Sequence, residues 1–321
     1  MRQRLRYEMN RYIATAIVAP MTRICKGCYI NFYYLSSSMS QTLAPSKSSP
    51  RSALTELIQE VMALTTRLFI QLQRRPSTLV AGVLQPLIWL VLFGALFMNA
   101  PQGLFGGDLN YAQFLAPGII VFTAFSGALN AGLPVMFDRE FGFLNRLLVA
   151  PLVSRYSIVV ASTLYIISLS LIQTAVIVGA SAFLGAGLPP LTGLVTIAAI
   201  VLLIVLGVTA LSLGLAFALP GHIELIAVIF VTNLPLLFAS TALAPLSFMA
   251  PWLQVVASLN PLTYAIEPIR YLYLYGDWSL SSPVMSGPLG SCSFGQVLAI
   301  LLGFDALALS LIQPLLRRRF L

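Results

Sequence analysis

The stretch FDREFGFLNRLLVAP, residues 137–151, decides how this chain is read. Four of its first ten residues are charged (Asp138, Arg139, Glu140 and Arg146), whereas 9% of the whole chain is. On a helix, Phe137, Phe141, Leu144 and Leu148 make a narrow apolar stripe. Asp138, Arg139, Asn145 and Arg146 fall on the other side, and Pro151 ends the helix. Two readings fit this pattern. The helix could lie on a bilayer with its arginines on lipid phosphates, or it could dock a soluble partner and pass a push into the segments that flank it.

Those flanking segments are apolar runs long enough to span a membrane, which takes about 20 residues. Six are expected, at about 79–98, 114–137, 157–184, 191–219, 225–243 and 296–316. Residues 156–221 carry no charge and are too long for one helix; GAGLPP at 185–190 divides them. The composition agrees: 58% of residues are hydrophobic and the mean hydropathy is +0.90. A soluble domain has about 45–50% apolar and about 25% charged residues. The expected fold is an all-α polytopic membrane protein. Pro86, Pro117 and Pro134 fall inside spans and are read as kinks.

Charge sets the orientation. Of ten Lys/Arg beyond residue 54, nine fall on one side when six spans are drawn, and only Arg270 falls on the other. Basic loops face the cytoplasm, so both termini are expected inside. Residues 54–75 then read as an N-terminal amphipathic interfacial helix, with Glu60, Arg67, Arg74 and Arg75 on its polar side. Residues 246–295 read as extracytoplasmic. SFMAPWLQVVASLNPLTYAIEPIR is too broken by Pro251 and Pro261 to span, and is expected to dip in and out as a re-entrant hairpin. GDWSLSSPVMSGPLGSCSFG has loop composition.

The net charge of +8 is concentrated at the front, where residues 1–51 hold eight Lys/Arg and one acid. The basic balance therefore points to an arm and to loops beside spans, and no nucleic-acid partner is expected. Residues 1–50 are expected to form a basic, disordered arm ahead of the transmembrane domain at 51–321. The arm reads either as an organelle-targeting leader or, our expectation, as sequence upstream of a start at Met39. Cys25-Lys-Gly-Cys28 has the spacing of half a zinc site, but no second CxxC exists and His222 is the only histidine, so no metal site is expected.

Three segments carry a resemblance: FDREFGFLNRLLVAPLVSRYSIV at 137–159, FLAPGIIVFTAFSGALNAG at 114–132, and NPLTYAIEPIR at 260–270. From about residue 54 to 321 the chain resembles the permease subunit of an ABC-2 type ABC transporter, in the daunorubicin-exporter-like branch. Close counterparts occur in cyanobacteria and algal plastids. FASTALAPL at 238–246 departs from the pattern, lacking the glycine that many members carry.

The resemblance implies a half-transporter, a second copy of the permease making a homodimer, and a separate ABC ATPase subunit that holds ATP and Mg. It makes Phe137, Asp138, Arg139, Glu140, Phe141, Leu144, Arg146 and Arg155 the ATPase-coupling segment, with the helix at 54–75 as second contact. Pro261, Tyr264, Glu267 and Arg270 become an outer-hairpin signature. The implied location is a bacterial inner membrane or a plastid membrane.

The residues agree on one negative point. No GxxxxGK[ST] phosphate loop occurs, and the nearest text, PSKSSP at 45–50, has no glycine. No directly bound cofactor and no enzymatic activity are expected. Asp305 is the sole charge within the six expected spans and reads as a pathway or dimer-seam residue, or as a protonated carboxyl bonded to a neighbouring helix. Glu267 and Arg270, three apart, read as an ion pair that either fixes or gates the outer hairpin. So charge-poor an interior suits membrane lipids as surroundings and an amphipathic or lipid-linked substrate as cargo. The alternative, an ATP-independent secondary transporter or channel, would be expected to show an internal repeat, and none is found. An intramembrane enzyme would need paired catalytic groups at membrane depth, where Asp305 stands alone.

Overall fold

A computed structural model describes residues 53–74, 76–97, 111–144, 154, 156–276, 278–287 and 290–320. The arm at 1–50, Arg75, Arg146 and Arg155 lie outside the described residues. Helix α1, Ala53–Arg74, turns Val61, Leu68 and Phe69 toward the protein, with Phe69 edge-on to Tyr165 at 5.3 Å. Beside that face runs an exposed apolar row, Leu54, Ile58 and Met62. Arg74 ends α1 and Pro76 starts α2, Pro76–Leu96. A proline there loses no helical hydrogen bond, so the chain turns from one helix into the next cheaply.

Among the described residues, five helices are long and apolar enough to cross a membrane: α2; α3, Tyr111–Leu129, with its continuation to Glu140; α5, Ser157–Ser181, with its π-helical end; α6, Leu191–Ala218; and α10, Phe294–Phe320. Helix α3 is the centre, with α2, α5, α6 and the later helix α9 around it. The other long helices turn apolar side chains outward, as lipid-facing elements do. Between Asn130 and Gly132 the chain breaks and resumes as α4, Gly132–Glu140, so the expected second span at 114–137 is two helices. Gly132 permits the junction: its N–H donates to Ser212 Oγ at 2.9 Å, and a Cβ there would sit 2.5 Å from the Ser212 carbonyl oxygen.

Two expectations are revised. The fifth span, expected at 225–243, is the shorter α7, His222–Phe238. Its 17 residues give about 25 Å, less than the roughly 30 Å hydrocarbon core. The helix stops because Ala239 leaves helical geometry and the chain turns. The stretch after α9, expected as plain loop, holds a short β-hairpin, β1 Pro283–Gly287 with β2 Gly290–Ser293, within the all-α membrane fold. Gly290, at φ +112°, makes the return, and the buried Met285 anchors β1.

Before the hairpin come α8, Pro251–Leu259, and α9, Pro261–Tyr275. Both are short, as a re-entrant pair would be, and α9 is buried against α3, α6 and α10. Helices α6 and α10 pack closely and in parallel. Gly207 faces Asp305 and Phe304, and seven residues on Gly214 faces Ile312. Small residues at such a seam let backbones approach where lipid gives no hydrophobic drive.

Candidate functional site

At one end of the bundle meet the end of α1, the whole of α4, the end of α6 and the start of α7. The three consecutive charges of α4 each take a different partner. Asp138 receives a two-pronged bond from Arg67 of α1, at 2.8 and 2.7 Å, and the Arg67 guanidinium also lies 3.9 Å over the Phe143 ring. Arg139 donates to the carbonyls of Ala216, Leu219 and Pro220, at 2.8, 2.6 and 2.6 Å. Ala216 lies in the last turn of α6, Leu219 caps it and Pro220 follows, and a cation suits this negative end of a helix. Glu140 accepts from the backbone N–H of His222 at 2.6 Å and pairs with its ring Nδ1. That N–H opens α7, where an anion is favoured. The segment Leu219–Gly221 joins the two helix ends that Arg139 and Glu140 hold.

Asp138 and Arg139 are half-buried against these partners, Glu140 stays exposed at the edge with His222, and an aromatic edge faces out. Phe141 is 80% exposed; it stacks on Phe137 at 6.1 Å, which in turn lies 5.3 Å from the His222 ring. The helix expected through 148 is interrupted after Glu140: helical geometry returns at Phe143 and Leu144, and residues 145–148 lie outside the described residues. Gly142, at φ +74°, takes the left-handed conformation that stops it. The stripe is split as a result: Leu144 points inward, packing with Val135, Ile158, Leu213, Phe217 and Ile312. Glu60 is half-buried on α1 and Arg74 is exposed at its end.

At the opposite end, Asn260 organises the hairpin. Its side chain accepts from Leu262 N–H at 3.0 Å, capping α9 just before Pro261. Its amide donates to the carbonyls of Leu236 and Ala239 at 2.8 and 2.6 Å, closing the end of α7. Tyr264 is buried on α9. Arg270 pairs with Glu267 at 2.5 Å, donates to the carbonyls of Thr241 and Phe114, and lies 3.8 Å over the Phe114 ring. All partners of this buried cation lie within the chain, which suits a pin holding α3, α9 and the turn after α7 together. Asp305 is 8% exposed between α6 and α10 of the same chain, against Gly207. Sequence pattern gave Asn260 no role and marked His222 only as the lone histidine, without a partner. Asn before Pro was a visible cap signal, whereas nothing local marks His222 as Glu140's partner.

Residues 59–274 match the family model described as ABC-2 type transporter. The chain is 55% identical over 271 residues to the putative transport permease ycf38 of Porphyra purpurea, covering 84% of this chain and 93% of that one. The protein of the same name from Cyanophora paradoxa is 54% identical over 264 residues, 82% and 91% of the two chains. The probable doxorubicin resistance ABC transporter permease protein DrrC of Mycobacterium tuberculosis (strain CDC 1551 / Oshkosh) is 26% identical over 255 residues, 77% and 87%.

Proposed function

The chain belongs to the ABC-2 type transporter family and is a multi-pass permease subunit, and from that premise we infer that it is the membrane half of an ATP-driven exporter worked through α4. The observation that carries this is the placement of α4: three charges fastened to the ends of α1, α6 and α7, and Phe137 and Phe141 left open beside His222. An element so fastened passes displacement to three helices at once, and an exposed aromatic pair is the kind of anchor a protein partner covers. The partner is a separate ATPase subunit that brings ATP and Mg, since the chain has no phosphate loop of its own. The basic loops support a reading with this end and both termini in the cytosol of a bacterium, or on the corresponding side of a plastid membrane. Two copies pair, and the cargo is amphipathic or lipid-linked. A charge-poor interior supports that class, and the relative DrrC is named for resistance to doxorubicin.

The test is co-reconstitution of the chain with its ATPase. Replacing Phe137 and Phe141 together by alanine should abolish co-purification and transport-linked ATP hydrolysis while leaving the unfolding temperature within a degree or two of the parent. Retained complex and activity would refute docking through α4, and transport by the purified chain alone would refute the exporter reading.

A further inference from the structure

We propose that the chain binds the head of a hydroxyl-bearing amphiphile at a site that begins in a groove beside α4 and is completed, one turn deeper, by Ser170, Gln173 and Thr174 of α5. This deepens the proposed function by giving the cargo's head-group chemistry, and it rests on that reading for the amphiphile being cargo.

The groove, of about 850 Å³, lies between α1, the start of α2, α4 and α5. Leu72, Leu133 and Tyr165 line it with apolar surface, Gln71, Thr78 and Asn130 supply hydrogen-bonding groups, and its remaining border includes the charged Arg74 and Asp138 and the docking pair Phe137 and Phe141. A mixed lining of this size suits a molecule with both a tail and a head.

Two of the polar residues lead inward. One turn past Thr78 on α2 is Gly82, and one turn before Asn130 on α3 is Gly127. The side-chain amide of Gln173 lies between these glycines. A Cβ on Gly82 would collide with its Nε2, and one on Gly127 would stand 3.3 Å from its Oε1 and 3.5 Å from Ser170 Oγ. Glycine at both positions leaves the amide uncovered by either neighbour's side chain.

Ser170, Gln173 and Thr174 share one face of α5, at spacings of three and four, and all are buried. Among the described residues, Ser170 Oγ, Gln173 Oε1 and Thr174 Oγ1 have no hydrogen-bond partner. Unpaired polar atoms are costly at membrane depth, where no bulk water can satisfy them. Three together, on one face and beside an amphipathic groove, mark a place that a ligand completes. Oε1 accepts and the two hydroxyls do either, so the matching ligand is rich in hydroxyls. The head is uncharged where it meets the triad, because α2, α3 and α5 contain no charged residue. Helix α2 covers the triad here and is the least buried of the long helices, so it is the element that shifts when the head moves in from the groove.

The full chain in nanodiscs, without ATP or ATPase, tests this with two photoactivatable lipids of equal tails, a galactosyl diacylglycerol and a phosphatidylcholine. The galactosyl probe should label α5 preferentially. Gln173→Leu should cut that labelling about tenfold, equivalent to about 1.4 kcal/mol, while leaving the unfolding temperature unchanged or higher, since it removes an unpaired buried group. Leu133→Trp, which fills the groove, should cut labelling similarly. Equal labelling by both lipids would overturn the proposal. So would undiminished labelling of Gln173→Leu, the result expected if the triad holds a structural water only. Neither outcome touches docking of the ATPase, which the assay does not contain.

Discussion

Asp138, Arg139 and Glu140 are neighbours in sequence, yet their partners lie 71 to 82 residues away. That distance explains what was legible and what was not. A cluster of charge in an apolar chain is visible in one dimension. Which way the charges turn depends on helix ends brought in by the rest of the bundle, and no local periodicity encodes those. Arg139→Gln should free the terminal carbonyls of α6 and lower stability by about 1–3 kcal/mol. Arg139→Lys should recover part of it, because an ammonium lacks the planar fork that reaches several acceptors. Unfolding in detergent distinguishes the two variants, and identical curves for parent and Arg139→Gln would refute the contact. Gly207→Val is expected to be worse than its size suggests. The added methyls meet the Phe304 ring and the Asp305 carboxyl, and overpacking of this kind costs about 1–3 kcal/mol. A melting temperature equal to the parent's would mean that α6 and α10 do not touch there.

Among elements, the long helices were the most legible, because lipid demands long uncharged runs and little else satisfies a backbone in hydrocarbon. The ends of α4 and α7 were less so. Gly142 was in plain view within the supposed stripe, but glycine is tolerated inside helices, and only its left-handed φ reveals a stop. Residues 239–243, Ala-Ser-Thr-Ala-Leu, carry no charge and no Gly or Pro, so composition did not show where α7 ends. Here the cap is the structural cause: Asn260 takes the Leu236 and Ala239 carbonyls while starting α9. Asn260→Ala should therefore loosen both helices. A loss of about 1–3 kcal/mol is expected, together with faster amide exchange at the end of α7 and the first turn of α9. Exchange confined to α9 would show that the bonds to α7 contribute nothing. The β-hairpin was hidden for a different reason: its strands are rich in Gly, Ser and Pro, the composition of turns.

For the molecule as a whole, the arrangement puts Arg67, α4 and the Leu219–Gly221 link at one end and Arg270, the hairpin and Ser279 at the other. If the chain spans the bilayer as its basic residues imply, single cysteines at Thr66 and Ser279, in a background with the native cysteines replaced, should react with a membrane-impermeant reagent from opposite faces. Labelling of both from one face would require a different number of crossings. The sequence conveys this polarity well, since it follows from where arginines are tolerated. It conveys the grouping of helices around α3 poorly, since every long helix is apolar on all sides.

The short link Leu219–Gly221 has its two flanking helix ends held by adjacent residues of α4. Linkage between two sites is reciprocal in free energy. If seating an engine on Phe137 and Phe141 shifts α7 and thereby changes how tightly cargo is held, bound cargo changes how firmly that engine sits by the same free energy. If the proposed motor seats there, a loaded permease and an empty one hold it with different strength, and Arg139 and Glu140 carry that difference.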